Sequence, residues 1–490
     1  MKTQRHHRWS VGPLALASAM GAAVLTIAGC GSLLDVKVPG NLTSDELFTP
    51  GSAPIIINSV ISDFECSYSM MSAVESGMED ASWSTSGYWR QETDYLRTRP
   101  PSGACSENSD TDTDWFTSFQ SSRFVAVGVY DALQDWTDAE VGGDRIAHIA
   151  TAATYAGFFY AIFGEQYCEF AAGVGPMQTP RETLAVAESW FTKALDALGA
   201  GDKEIVSTTS VRQLALLGRA RVRLQLDNLT GARADAAQIQ PGFVAWITRD
   251  ASVRSRWNAV TQGLTVSGWR TIGGAGYWND FAPTQLISAG YYDLTIDPSG
   301  AQTVNDGMPD PRVSVTFTGQ FAQDGVTDQY VQNKYPTVGD PHALAKYEEA
   351  QLILAEIDLE EGALGSAVGH INVLRDAHSL PNFASTDVNE IYRTTIEERR
   401  REFFFEGRHF ADKLRYGLWF PRGRGKDHKG IQFGFGYCNL MPIDEYQLNP
   451  EVIAAFGADY EGPDITEISY TYANQQTRRT VQWPVPATLP

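Results

Sequence analysis

Positive charge is scarce in this chain: 38 Lys and Arg stand against 59 Asp and Glu, a formal net charge of −21. A surface of that sign repels phosphate backbones and anionic headgroups, so nucleic acid and the bare membrane surface are poor partners. Catalytic signatures are missing too. The chain has no Gly-x-Ser-x-Gly elbow, no His-Glu-x-x-His, no phosphate loop and no Cys-x-x-Cys. Gly273-Gly274-Ala275-Gly276 lacks the strand–helix setting of a dinucleotide site and reads as a hinge beside Tyr277-Trp278. The eight His are scattered, and His409 reads as packed or hydrogen-bonded rather than catalytic. Acidic residues are too many for any two to be named as a glycosidase pair, because separation in space decides that role.

Long apolar runs are confined to the beginning. Lys2, Arg5 and Arg8 precede an apolar run from Val11 to Ala28, which ends in Ile27-Ala28-Gly29-Cys30. This is a charged region, an apolar region and small residues before a cysteine, the pattern of a lipoprotein signal. Residues 1–29 are expected to be removed and the Cys30 thiol acylated as the lipid anchor. The run is short and rich in Ala and Gly for a membrane span. No second apolar run approaches a span, so attachment is expected to rest on the lipid alone. Loss of the signal leaves 35 basic against 59 acidic residues, a net −24. Cys66, Cys105, Cys168 and Cys438 remain, enough for two disulfides in three possible connectivities, or for buried thiols. A Cys66–Cys105 bond would staple the loop-rich N-terminal part.

Residues 30–490 read as a single domain, mainly α, with a helical scaffold over about 120–240 and 341–417. A loop-rich region is expected over about 63–116 and 241–340, and an irregular tail over 418–490. Residues 53–62 fit either a helix or a buried apolar run. Phe124–Trp136 and Asp144–Phe163 read as an antiparallel helix pair around Gly142-Gly143. Thr179-Pro180-Arg181-Glu182 opens a helix to about Leu198, followed by Val211–Leu226. Ala220, Ala232 and Ala236 have the small-residue spacing of a tetratricopeptide repeat, and 342–378 reads as another helix pair, so a solenoid of stacked pairs is expected. Helix is expected to resume at Pro341. Ile396, Phe403, Gly407, Phe410 and Leu414 fall on one face of a long helix that starts near Asp387 and stops near Gly417. Its charges, including Glu397 with Arg401 and Arg399 with Glu402, read as a solvated flank.

The loop-rich segments carry the aromatics. Trp83, Tyr88, Trp89, Tyr95 and Trp115 lie in the first; Trp246, Trp269, Tyr277, Trp278, Phe317, Phe321 and Tyr330 are among those in the second, where 312–317 suggests a short strand. Large aromatics on loops mark binding ground. A sugar ring has apolar C–H faces and a polar rim, so a flat ring covers a face while carboxylates, amides or Arg bond the hydroxyls. Trp83, Tyr88, Trp89, Trp269, Tyr277 and Trp278 are the candidate ligand-binding residues, with core packing as the alternative for each. Asp110, Asp112 and Asp114 alternate as calcium ligands can, yet Trp115 stands where such a loop needs Gly and Ser121 where it needs Glu, so a solvated acidic loop is the competing reading. No cofactor is otherwise implied. Arg422–Lys429 is the only dense positive run, suited to an acidic rim, an anionic ligand, or solvent.

The string E-R-R-R-E-F-F-F-E-G-R-H-F-A-D-K-L-R-Y-G over 398–417 resembles the signature helix of the SusD/RagB family. Tyr347–Glu356 with Gly362, Ala367 and Ile371–Arg375 resembles an upstream helix pair of that family, and Met441–Pro450 its closing turn. Weaker matches are Leu34-Asp35 with Pro39, and the aromatic helix end Phe158–Gly164. The resemblance implies a tetratricopeptide-like helical scaffold and an outer-membrane lipoprotein without catalysis. Such a protein captures a nutrient, usually a glycan, for a TonB-dependent SusC-like barrel over which it sits as a lid. A secreted lipoprotein glycoside hydrolase and a peptide-binding assembly scaffold are the rival readings. The segment after Pro450 has no counterpart in the resemblance.

Overall fold

Apolar residues at helical spacing continue well past residue 62. In the computed structural model they form α1 (Ala53–Glu75), opened by Pro54 in its first turn. Phe64, Tyr68 and Met71 lie on its buried face, so the loop-rich segment begins after Glu75 and not at 63. The structure describes residues 48–79, 81–86, 115–205, 209–272, 310–416, 434 and 436–464, and the backbone of four short strands between 277 and 304. The chain divides into Met1–Thr49 and Pro50–Pro490. Every element from α1 onward belongs to the second unit; Cys30 lies outside the described residues.

Helices α2 (Phe116–Asp135) and α3 (Arg145–Gln166) pair across the Gly142-Gly143 turn as expected. Helix α2 starts at Phe116 rather than Phe124 because its first turn packs under α3, with the Phe116 and Phe163 rings 5.4 Å apart and those of Phe119 and Phe159 5.6 Å. By length and composition α3 could cross a membrane, contrary to the sequence expectation, but 83% of its apolar window is buried among other helices. It is the core helix. Next comes α4 (Pro180–Leu198), whose Thr179 and Glu182 form a reciprocal capping box. Helices α5 (Val211–Gln225) and α6 (Leu229–Ala236) follow. Ala220, Ala232 and Ala236 are all buried, as a close helix pair needs. A Cβ added at Gly218 would fall 2.5 Å from the Phe191 ring, so only glycine allows this approach.

Strands are short and pair antiparallel in twos. They are β1 (Trp83–Ser84), β2 (Phe170–Ala171) with β3 (Met177–Gln178), β4 (Glu204–Ile205) with β5 (Thr209–Ser210), and β6 (Val244–Ile247). Then come β7 (Arg270–Thr271), β8 (Tyr277–Trp278) with β9 (Leu286–Ile287), β10 (Leu294–Ile296) with β11 (Gln302–Val304), and β12 (Val315–Phe321) with β13 (Asp328–Gln332). Last is β14 (His342–Lys346), which pairs with β6. Helix therefore resumes at Tyr347 and not at Pro341. Residues 342–346 extend because β6, distant in sequence, offers them a ladder.

The second helical block is α7 (Tyr347–Glu360), α8 (Leu364–Ala377), α9 (Val388–Glu402) and α10 (His409–Tyr416). Asp387 caps α9 by accepting from the Asn389 and Glu390 amides. The expected long helix breaks after Glu402. Phe405 (φ +55°) and Gly407 (φ +66°) turn the chain, and a Cβ on Gly407 would meet Ser72 Oγ at 2.8 Å. Lys334 Nζ donates to the Glu402 and Phe404 carbonyls, and Lys346 Nζ to that of Glu402. Two lysines from remote segments thus satisfy the carbonyls that a continued helix would have used.

The charges of this segment are not solvated. Every residue from Glu397 to Glu402 is buried. Arg399 pairs with Asp412 (2.9 Å) and Glu402 with Lys346 (2.8 Å), in place of the expected Arg399–Glu402 pair; Glu397 and Arg401 do approach, at 3.6 Å. Glu398 receives Arg312 (2.6 Å) and Arg375 (2.7 Å). Glu349 receives Arg221 through two bonds and Arg408 through a third. These ions lock α5, α7, α9 and α10 together, and Arg221, Glu349, Arg399, Arg408 and Asp412 border a cavity of about 10 Å³, room for one water.

Cys168, just past α3, is bonded to Cys438 across 270 residues. Cys66 is also in a disulfide, whose other half lies outside the described residues. Two short helices, α11 (Ile443–Gln447) and α12 (Pro450–Phe456), give the expected irregular tail more order than its composition suggested. Pro450 after the Asn449 cap starts the second of them.

Candidate ligand-binding site

A β-ribbon brings two of the candidate rings together. Register sets Trp83 opposite Thr271 and Ser84 opposite Arg270, and the Thr85 amide continues the ladder to the Trp269 carbonyl at 2.7 Å. Trp83 and Trp269 therefore project from one face of the ribbon as diagonal neighbours. Both are half-buried, which is neither core packing nor full exposure. The opposite face is anchored by Arg270, which is buried and donates through Nε to Ser82 Oγ at 2.7 Å.

The β12–β13 hairpin extends this shelf. Thr271 Oγ1 donates to the Asp328 carbonyl and accepts from the Tyr330 amide, both at 2.8 Å. The Gln323 amide reaches the Gly268 carbonyl at 2.9 Å, which lays the hairpin tip beside Trp269. That tip turns on Asp324-Gly325, with Asp324 Oδ1 accepting from the Val326 and Thr327 amides. Phe321 is 60% exposed, Val326 75%, and Val266 on the adjoining π-helical turn 57%. Phe317 and Tyr330 pair across the hairpin, ring centroids 5.0 Å apart. Burial, and after it the Asp328 carboxylate, raises the Tyr330 phenol above its ordinary value, and like any tyrosine it is a hydrogen-bond donor at neutral pH. Asp328, Gln320 and Gln323 are exposed near the rings. Flat apolar surface with carboxylate and amide groups at its rim is chemistry suited to a carbohydrate.

Three solved structures share this architecture. A SusD superfamily protein from Bacteroides vulgatus superposes with a TM-score of 0.58 at 13% identity, over 82% of this chain and 98% of its own. One from Parabacteroides distasonis gives 0.54 at 12%, over 84% and 98%. The fold is SusD-like. A third neighbour, a SusD-like carbohydrate binding protein from Bacteroides vulgatus, gives 0.51 at 14% identity, over 74% of this chain and 83% of its own. No family model and no curated protein matches the sequence. The likeness agrees with the mainly helical, tetratricopeptide-like architecture expected from the SusD/RagB-type motifs. In this fold the 347–375 and 398–416 matches serve the packing of α7 to α10, not the shelf.

Of the other candidates, Tyr277 and Trp278 form β8, paired with β9, and their side chains lie outside the described residues, as do Tyr88 and Trp89. Asp110, Asp112 and Asp114, the 273–276 hinge and the basic run 422–429 are likewise outside. Among the described residues no three acidic, His or Cys side chains are grouped to hold a metal ion. Phe321, Val326 and Val266 were not singled out by sequence. The available signal was an alternating 315–321 segment followed by Asp324-Gly325, a hairpin pattern that would have put Phe321 beside a tip.

Proposed function

We propose that this protein captures an oligosaccharide at the cell surface, without catalysis, and hands it to a TonB-dependent SusC-like barrel. The acylated Cys30 would hold it to the outer membrane. The observation that supports the reading is the half-exposed Trp83–Trp269 pair, extended by Phe321, on a SusD-like scaffold. One neighbour with this fold is a carbohydrate binding protein, which favours a glycan over other nutrients. Rings half sunk in the ribbon give up little rotamer freedom on binding.

A glycan array with the mature chain should yield a bound class. Trp83→Ala and Trp269→Ala should each weaken that binding roughly tenfold, about 1.4 kcal/mol. Unchanged affinity in both variants removes the shelf as the site, and an empty array removes the ligand class. Co-purification with a TonB-dependent barrel tests delivery; its failure in the native membrane overturns that part.

A further inference from the structure

Register places a carboxylate among the rings of the β12–β13 hairpin. Phe321 stands opposite Asp328, and Phe317 opposite Tyr330, in the antiparallel pair. Cross-strand partners share a face, and Asp328 and Tyr330 lie two residues apart on one strand, so all four side chains leave the hairpin on the same side. The bulge between Phe317 and Phe321 does not alter this, because each ring keeps its own partner. The Ala322 amide reaches the Thr327 carbonyl at 2.7 Å, which closes the ladder beyond Phe321 and Asp328. Directly opposed residues have Cβ atoms about 5 Å apart. The Phe317 and Tyr330 rings are 5.0 Å apart, and Phe321 and Asp328 are both exposed. The charge of Asp328 also acts on the Tyr330 phenol, as their positions on one face require.

This carboxylate has no counterion. Among the described residues no hydrogen bond or ion pair reaches the Asp328 side chain; only its backbone carbonyl is engaged, by Thr271 Oγ1. Residues 258–340 hold eight Asp against three cations, and each cation is committed elsewhere: Arg270 to Ser82, Arg312 to Asp310 and Glu398, Lys334 to Glu406. A carboxylate flanked by aromatic rings attracts a ligand that brings its own positive charge. The carboxylate supplies an ion pair, and the ring quadrupoles supply cation–π attraction. Uronate and sulfate groups are repelled by the same charge. Resting on the glycan reading of the shelf, we propose that this hairpin face selects sugars bearing a free, protonated amine, with Asp328 as the specificity-determining residue and Phe321 and Tyr330 beside the ammonium. An N-acetylated sugar keeps the ring but loses the charge, so it gains nothing from Asp328.

A glucosamine hexamer and its fully N-acetylated counterpart share backbone and length, and calorimetric titration of both into the mature chain tests this. The hexamer with free amines should bind at least tenfold tighter, with an advantage that shrinks at high salt. Asp328→Asn should bring the two affinities within twofold of each other, and Phe321→Ala should narrow the gap. Equal binding of the two by the wild type, or a gap that survives Asp328→Asn, overturns the proposal while leaving glycan capture in place. Methylammonium carries the charge without the sugar. It should shift the Tyr330 and Phe321 ring resonances of the wild type but not those of Asp328→Asn. No wild-type shift overturns the amine assignment even where neither hexamer binds. A shift that Asp328→Asn abolishes, with neither hexamer bound, upholds the ammonium pocket and counts against the glycan reading alone.

Discussion

Glu349→Gln offers a direct test of what holds the helical blocks together. The carboxylate is 1% exposed, takes Arg221 through Nε and Nη2 at 2.7 and 2.8 Å, and takes Arg408 Nη1 at 3.1 Å. Burial alone would raise its pKa, but the Arg221 and Arg408 charges outweigh burial and hold it at about 2. Neutralising it leaves two guanidinium groups buried beside an amide. Breaking a buried pair in this way costs about 3–5 kcal/mol. Unfolding entropy near 2.1 cal/mol/K per residue, over the roughly 440 residues of the main unit, makes each kcal/mol worth about 1 °C. The melting temperature at pH 7 should therefore drop by about 3–5 °C. A depressed carboxylate stabilises the fold above its unfolded pKa near 4.5 and stops doing so as pH falls toward 2. The wild type should lose stability through that window while Glu349→Gln loses correspondingly less. Calorimetry from pH 7 to pH 3 reads both effects. A shift under 1 °C at pH 7, or parallel acid limbs, would falsify the claim that this triad is a net structural clamp.

Other variants probe the remaining supports. Gly218→Ala places a methyl 2.5 Å from the Phe191 ring, and overpacking of that kind should cost about 1–3 kcal/mol, read as a lower urea midpoint at unchanged slope. Cys168→Ser with Cys438→Ser opens a loop of 270 residues and should cost about 2–5 kcal/mol in the same assay. Lys346→Met removes the cation shared by Glu402 and Glu406 and should destabilise by about 3–5 kcal/mol, with exchange rising first in residues 403–407.

Much of the scaffold was legible because its cues are local. Thr179 with Pro180 and Glu182 states a helix start within four residues, and Asp387 does so with no help from elsewhere. What escaped depends on partners distant in the chain. Nothing between Phe403 and Glu406 forbids a helix; the chain turns at Phe405 and Gly407, and Lys334 and Lys346 from remote segments satisfy the carbonyls this frees. Residues 342–346 become a strand only because β6 lies beside them. The charges of α9 have the spacing of a surface helix, and their burial follows from Arg312, Lys346 and Asp412 arriving as counterions. At the candidate site, composition located the aromatic loops, but the pairing of 83–85 with 269–271 spans almost 190 residues and no periodicity encodes it. Phe321 joins the shelf through that same register.

The Cys168–Cys438 bond also makes the region between those residues a closed covalent ring. Trp269, the β12–β13 hairpin and the α7–α10 block all lie within it. A single backbone cut anywhere inside leaves both pieces tethered, so the chain can be nicked there without shedding half its mass. Such a molecule would run as one band without reductant and as two with it, and could go on working in between.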